Sequence, residues 1–275
     1  MTAVLALTLL LVGPASPTGI EFEHNFDKAM KRARKLGKPV IVDFWAEWCT
    51  WCHLLDRTTY ADREVANRAR EFVAVKVNAE GPGRETEIAL RYDVHSLPTI
   101  LFLSPGGRQV YRLNGFQGPG QFPRTMDAAL RTARRVMEWE AALERDPEDP
   151  RALAALGQHL FEQEYYDESR DLLQRAIADD AEEPVAERRR SRMLLAIVQN
   201  YDRRYAEAEG LIKDALSLQP RGEDEPKLLF VLGRTYVSWG RRDEGARTLQ
   251  VIVREYPQSP LAQKAKETLV VLERR

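Results

Sequence analysis

The sequence contains little cysteine and has no excess of charge of one sign. Only two of its 275 residues are cysteine, which excludes a fold held together by several disulfide bonds. Its 41 Lys and Arg residues are balanced by 42 Asp and Glu residues, so the chain lacks the strong positive field that draws proteins to nucleic acid or to anionic membranes. No nucleic-acid partner is therefore expected.

The apolar N-terminal stretch from Ala3 to Val12 is too short to span a bilayer but has the length of a signal-peptide core. Small and helix-breaking residues follow at positions 13–16. We therefore expect residues 1–19 to be a signal peptide and the protein to be periplasmic or otherwise extracytoplasmic. The positively charged segment that normally precedes such a core is missing, so an uncleaved apolar N-terminus or a misassigned start is the alternative.

The two cysteines, Cys49 and Cys52, lie in the segment WCTWCH at residues 48–53. A disulfide across so short a spacer closes almost no loop in the unfolded chain, which favours a chemical use over a structural one. Two uses have this spacing. Cys-x-x-Cys before a helix is typical of a redox dithiol, whereas Cys-x-x-Cys-His is the spacing at which a c-type haem is attached.

The sequence around the cysteines alternates helix and strand patterns. Residues 40–45 are apolar almost without a break, as in a strand buried on both faces. A helix is predicted from the cysteines onward, as Leu54 and Leu55 continue its apolar face. The other predicted elements are helices at 26–36, 62–70, 85–92 and 122–136 and strands at 72–77, 98–103 and 109–113. This order predicts a mixed sheet with helices on both faces.

Four motifs resemble the successive landmarks of a thioredoxin domain. They are VDFWAEWCTWC at 42–52, VKVN at 75–78, LPT at 97–99 and Gly115. The resemblance implies an α/β thioredoxin fold over residues 20–135. WCTWCH and the following TTYAD at 58–62 resemble the exported branch that includes the C-terminal domain of the transmembrane disulfide reductase. Thr50-Trp51 replaces the common Gly-Pro and Ser96 replaces a glycine, which leaves the redox potential and the choice of partner open.

With this resemblance, a redox dithiol is favoured over haem attachment, and His53 is expected to be a surface residue of the helix. Cys49 is the predicted nucleophile, because backbone N–H groups and the helix dipole favour a thiolate at a helix N-terminus. Cys52, one turn later, is predicted to attack the mixed disulfide and close a Cys49–Cys52 disulfide. No metal and no cofactor are expected.

Asp43 lies in the middle of the apolar strand, where desolvation should raise the pKa of its carboxyl group. The resemblance implies that this carboxylate accepts the proton that Cys52 must lose. The alternative is an aspartate at a strand edge with a water or lysine partner. Lys76, in the next predicted strand, either pairs with Asp43 or is exposed.

The resemblance also implies a cis peptide bond between Leu97 and Pro98 that faces the dithiol. Such a bond would leave the backbone of Leu97 free to pair with an extended substrate. A trans proline that opens an edge strand is the alternative. Trp48 and Trp51 flank the nucleophile and are predicted to present apolar surface to a protein substrate.

The second half of the chain repeats. Leu-Gly or Leu-Ala pairs at 156–157, 195–196 and 232–233 recur after 39 and 37 residues. Small residues let two helices approach closely, and the pattern resembles tetratricopeptide repeats; a generic helical bundle is the alternative. We expect a linker helix at 136–150 and an all-α helical-repeat domain at 151–275 that binds a protein. The run Arg188-Arg189-Arg190 is expected to be an exposed turn of a helix.

These features predict a thiol-disulfide oxidoreductase, more specifically a reductase of protein disulfides that receives electrons from a membrane or soluble dithiol donor. Asp43 favours reduction, because a base near Cys52 assists thiolate formation. A disulfide oxidase or isomerase is the enzymatic alternative. A scaffold or chaperone, in which the thioredoxin unit is only structural, is the alternative from another class, and a c-type cytochrome is the third.

Overall fold

The computed structural model describes residues 19–220 and 222–273. The apolar N-terminal stretch, with its predicted role as a signal peptide, lies outside the described residues. The chain divides into two compact units between Met137 and Glu138. Among the described residues, no helix combines the length and the apolar character needed to cross a membrane.

The first unit is built on a mixed four-stranded sheet in the order β2-β1-β3-β4. β1 pairs with β2 in parallel and with β3 in antiparallel, and β3 and β4 are antiparallel. The strands are β1 Val40–Trp45, β2 Val73–Asn78, β3 Thr99–Leu103 and β4 Gln109–Asn114. The helices are α1 Phe26–Leu36, α2 Thr50–Arg57, α3 Arg63–Ala69, α4 Arg84–Arg91 and α5 Phe122–Arg145. α5 includes most of the residues predicted to form the linker helix.

Strand β1 is buried on both faces, as its apolar sequence predicts. Successive side chains of a strand point to opposite faces of the sheet. Accordingly, Phe44 belongs to an apolar cluster with α1 and α4, whereas Ile41 belongs to a second cluster that includes Leu55 of α2 and Phe122 of α5. By the same alternation Asp43 lies on the face of Ile41, which is the face that α2 covers. The predicted α/β fold with helices on both faces is confirmed.

The second unit is all-α within the described residues and consists of consecutive helical pairs. The pairs α6–α7, α8–α9 and α10–α11 pack together in turn, and α12 packs on α11. Their bounds are α6 Pro150–Glu162, α7 Tyr166–Ala178, α8 Val185–Tyr201, α9 Tyr205–Ser217, α10 Glu225–Ser238, α11 Arg242–Glu255 and α12 Pro260–Glu273.

Small residues mark the close approach within each pair, as predicted. A Cβ atom added at Gly157 would lie 2.9 Å from Cγ of Leu173, and one added at Gly233 would lie 2.9 Å from Cγ of Leu249. Ala196 takes this position in the second pair and is fully buried. The predicted close approach is therefore confirmed in the first and third pairs, and the burial of Ala196 agrees with it in the second.

The first helix of every pair ends in the same way. Glu164, Arg203 and Gly240 have φ angles of 66°, 60° and 87°, the left-handed conformation that commonly ends a helix. The N–H of the next residue then donates to a carbonyl five residues back, as in the bond from Arg241 to Tyr236. Only the third pair has glycine at this position.

The expectation of an exposed arginine run is wrong for its central residue. The Arg189 side chain is 1% exposed, and its Nε lies 3.1 Å from Oδ2 of Asp224. Arg188 is half-buried and pairs with Asp180, whereas Arg190 is exposed. Arg189 is buried because its partner is supplied by the connection before α10, far along the chain.

Candidate active site

Cys49 is the N-cap residue of α2 and is joined to Cys52 by a disulfide bond. Its Sγ accepts the backbone N–H of Cys52 at 3.2 Å. The first turn of a helix has N–H groups without helical partners, and these groups and the helix dipole favour negative charge. Once the disulfide is reduced, the Cys49 sulfur therefore lies where a thiolate is stabilised.

Both sulfur-bearing residues are almost completely buried in this oxidised state. Cys49 is 2% and Cys52 is 1% exposed. They form a cluster with Ala46, against which Trp45 and Leu97 pack. The difference in access between the two cysteines is therefore small here, and a thiol that attacks this disulfide has to displace part of this cover.

Asp43 is fully buried on the sheet face that α2 covers. Burial raises the pKa of its carboxyl group from 3.8 to about 6, and the nearby Lys76 ammonium group limits the rise. Tyr60 is also buried, and its pKa is raised by burial and by the charge of Asp43. Asp43 thus combines a central position in the sheet with a lysine partner, which the sequence presented as alternatives.

Lys76 pairs with two carboxylates. Its Nζ lies 3.3 Å from Oδ2 of Asp43 and also bonds to Asp56 of α2. The ammonium group also lies near three aromatic rings. The distances from Nζ of Lys76 to the ring centroids of Phe22, Trp45 and Tyr60 are 5.3, 5.6 and 5.6 Å. Lys76 is therefore paired and largely buried. The sequence did not point to Asp56, which lies on α2 four residues after Cys52.

The Leu97–Pro98 peptide bond is cis, as the family resemblance implied. Leu97 packs against the cluster of the two cysteines. The carbonyl of Pro98 accepts the N–H of Gly115 at 2.8 Å. The segment before β3 therefore contacts both the cysteine cluster and the loop after β4.

Trp48 and Trp51 are 65% and 56% exposed. The indole N–H of Trp48 donates to Oε2 of Glu80 at 2.9 Å. The Trp51 ring packs against Phe116, with 5.6 Å between the ring centroids. Glu80 and Phe116 were not among the predicted site residues.

His53 is half-buried, and its Nε2 lies 2.7 Å from the carbonyl oxygen of Glu47. The residue therefore contacts the backbone just before α2 and is not a freely exposed surface histidine. Within the described residues no group of three or more His, Cys, Asp or Glu side chains is arranged to hold a metal ion.

Two family models match the chain. Residues 26–130 match the model of a thioredoxin-like domain, and residues 131–184 match a tetratricopeptide repeat. The second match includes residues assigned by sequence to the linker helix. The Cys-x-x-Cys disulfide thus belongs to a thioredoxin-like domain, and a region of tetratricopeptide type follows it.

Curated proteins are similar in sequence to part of this chain. It is 29% identical over 109 residues to the thiol:disulfide interchange protein DsbD of Ralstonia nicotianae, covering 39% of this chain and 18% of that protein. It is 32% identical over 101 residues to thiol:disulfide interchange protein DsbD 1 of Pseudomonas aeruginosa, covering 34% of this chain and 17% of that protein. The chain therefore spans less than a fifth of the length of these relatives.

A solved structure is also similar. The solution structure of a putative disulphide-isomerase from Bacteroides thetaiotaomicron is 33% identical, with a TM-score of 0.38, and the match covers 42% of this chain and 96% of that one.

Proposed function

We propose that this chain, which combines a thioredoxin-like domain with a region of tetratricopeptide type, is a thiol-disulfide oxidoreductase that reduces disulfide bonds of proteins. The observation that carries the proposal is the disulfide at the N-terminus of α2, with the buried carboxyl group of Asp43 on the sheet face beneath that helix. Similarity to thiol:disulfide interchange proteins supports the same activity.

The proposed cycle starts from the reduced dithiol. The Cys49 thiolate attacks one sulfur of a substrate disulfide, forms a mixed disulfide and releases the other substrate sulfur as a thiolate. Cys52 loses its proton and attacks the Cys49 sulfur, which releases the second substrate thiolate and closes the Cys49–Cys52 disulfide. Two electrons pass from the dithiol to the substrate. A membrane or soluble dithiol donor then returns two electrons to the disulfide.

Asp43 is the proposed proton acceptor for Cys52. With a pKa raised to about 6, its carboxyl group is mostly ionised at neutral pH and holds a proton more readily than an ordinary aspartate. The Lys76 ammonium group, which pairs with Asp43, keeps that pKa from rising further, because a nearby cation favours the ionised form.

The carboxylate of Asp43, on the sheet face that α2 covers, favours reduction over oxidation. It assists formation of the Cys52 thiolate, which is the species that completes reduction of a substrate. The reduction potential of the Cys49–Cys52 pair tests this direction. A value near that of thioredoxin, about −270 mV, supports a reductase, whereas a value near about −120 mV supports an oxidase.

The helical-repeat unit is proposed to bind a protein, either a substrate or an electron donor. Because it is joined to the dithiol domain in one chain, binding there raises the effective concentration of that protein at the disulfide. We place the activity in a periplasmic or other extracytoplasmic compartment, on the basis of the apolar stretch from Ala3 to Val12. Fractionation of cells that express the full chain tests this location.

The activity itself is tested by reduction of insulin with a chemical dithiol as electron donor. The wild-type protein is expected to accelerate the reduction, and Cys49→Ser is expected to abolish the acceleration. A wild-type protein that does not exceed the rate of the chemical dithiol alone would refute the proposed function.

One observation favours a second candidate, a protein-binding scaffold with a structural disulfide. Both cysteines are nearly inaccessible in the oxidised state. Such burial is compatible with a structural disulfide as well as with a reactive disulfide that other residues cover. A Cys49→Ser/Cys52→Ser double variant that restores the phenotype of a strain lacking the protein would support the scaffold. Loss of complementation with normal amounts of folded protein would support the oxidoreductase.

A further inference from the structure

Trp51 lies between the two cysteines and keeps most of its surface in solvent, yet its side chain is not free. Its ring packs at 5.6 Å and 39° against the ring of Phe116. Phe116 follows Gly115, whose φ of 85° turns the chain after β4 and whose N–H is bound to Pro98. Phe116 is therefore brought to the Trp51 ring by the same loop that contacts the cis-proline segment.

The other side of Cys49 is arranged in a similar way. Trp48 is exposed, and the hydrogen bond from its indole to Glu80 fixes the ring. Two exposed indoles thus flank the proposed nucleophile, and each is held by a residue from a different loop. Side chains that are already held lose little rotamer freedom when a partner covers them, which favours binding.

Trp51 is 56% and Phe116 36% exposed, so the pair leaves apolar ring surface in solvent at the residue just before Cys52. A substrate sulfur must come to Cys49, two residues before Trp51, so the polypeptide next to that sulfur must pass close to the pair. Aromatic side chains pack favourably with one another in tilted or offset geometries. The occupant that fits is an apolar or aromatic side chain near the cysteine of a protein substrate.

We propose that Trp51 and Phe116 bind an apolar, preferentially aromatic, side chain that lies within a few residues of the reacting cysteine of a protein substrate. Phe116 is then a specificity-determining residue of the dithiol site. This inference rests on the proposed function and names the class of substrate that the site prefers. The common Gly-Pro dipeptide of the family has no aromatic ring at the place of Trp51, so the preference depends on a residue at which this chain departs from that dipeptide.

The test uses two disulfide-linked peptides of identical length and charge, one with phenylalanine and one with serine two residues from the cysteine. The full-length wild-type protein is expected to have a kcat/KM about tenfold higher for the phenylalanine peptide, mainly through KM. In Phe116→Ala the ratio of the two kcat/KM values should fall to about one, and Phe116→Tyr should restore it. Leu90→Ala is the matched control, because Leu90 is an exposed apolar residue of α4, and it should leave the ratio unchanged.

Circular dichroism establishes that each variant is folded. An unchanged ratio in Phe116→Ala, or equal loss with both peptides, would overturn the inference. The wild-type protein could instead self-associate through this pair. If Phe116→Ala removes self-association but leaves the ratio of the two kcat/KM values unchanged, the inference is overturned and the occupant is a second copy of this chain. If the wild-type protein fails to accelerate insulin reduction, the proposed function fails; if it accelerates insulin reduction but treats both peptides alike, only the present inference fails.

Discussion

Asp43 and Lys76 lie directly opposite each other in the parallel register of β1 and β2, and their charged groups are 3.3 Å apart. The carboxyl group of Asp43 is fully buried, so this group loses its hydration when the protein folds. The ammonium group offsets part of that loss, but the pKa of Asp43 still rises to about 6. A buried charge kept at this cost is typical of a functional site.

Asp43→Asn is expected to stabilise the oxidised protein above pH 6. The pKa of Asp43 is raised on folding, so the folded state favours the protonated carboxyl group, and stability is lost as the pH rises from about 4 through 6. A rise from 3.8 to about 6 corresponds to about 3 kcal/mol at high pH. Urea unfolding at pH 8 should therefore show a gain of about 2 to 3 kcal/mol for the variant, and at pH 4 almost none.

Glu47→Gln is the control for this substitution, because Glu47 is an exposed carboxylate of the same segment. As a surface substitution, it should change the free energy of unfolding at pH 8 by less than about 0.5 kcal/mol. A gain for Asp43→Asn that is equal at pH 4 and pH 8 would contradict the raised pKa.

Lys76→Met and Asp56→Asn are expected to shift the pKa of Asp43 in opposite directions. The Lys76 ammonium group lowers this pKa and the Asp56 carboxylate raises it, so loss of the lysine should raise the pKa and loss of Asp56 should lower it. Titration of the Asp43 carboxyl carbon by NMR measures both shifts. Shifts of the same sign in the two variants would show that the three groups are not coupled as the structure indicates.

The residues with a positive φ angle that end the first helix of each pair predict a second set of stability changes. Glu164→Gly should stabilise the helical-repeat unit by up to about 1 kcal/mol, because glycine adopts a positive φ without steric cost. Gly240→Ala should destabilise it by about 1 kcal/mol for the same reason. Urea unfolding, monitored by the circular dichroism of the helices, measures the free energy of unfolding of both variants. A change of the same sign in the two variants would contradict a left-handed backbone at these two positions.

The regular elements of the first unit could be predicted closely. α1 and β1 have the predicted bounds, since amphipathic periodicity defines the helix and Gly37 and Pro39 separate it from the apolar strand. α5 is a single helix that ends at Arg145, where the sequence predicted a helix at 122–136 and a linker helix at 136–150. No glycine or proline occurs between Val136 and Arg145, so the sequence contains no signal that would end the helix earlier.

The side chains around the candidate site could be predicted only in part. Asp43 could be identified because it interrupts an apolar strand pattern, and Lys76 because it lies in the next predicted strand where the resembling family has a lysine. Asp56 and Phe116 were not, since a charged residue on a helix and an aromatic residue in a loop are common and only tertiary contacts identify their partners. Arg189 illustrates the same limit, because burial of a charge depends on an acidic residue that folding brings from a distant connection.

The most direct test of the account is covalent trapping of a protein substrate on the reduced single-cysteine variants. These variants control each other, because the chain has only two cysteines. Cys52→Ser should accumulate mixed disulfides through Cys49 that a chemical dithiol releases, and should lose multiple turnover; Cys49→Ser should form almost none. Normal turnover by Cys52→Ser, or equal trapping by both variants, would contradict Cys49 as the nucleophile and Cys52 as the residue that completes the exchange.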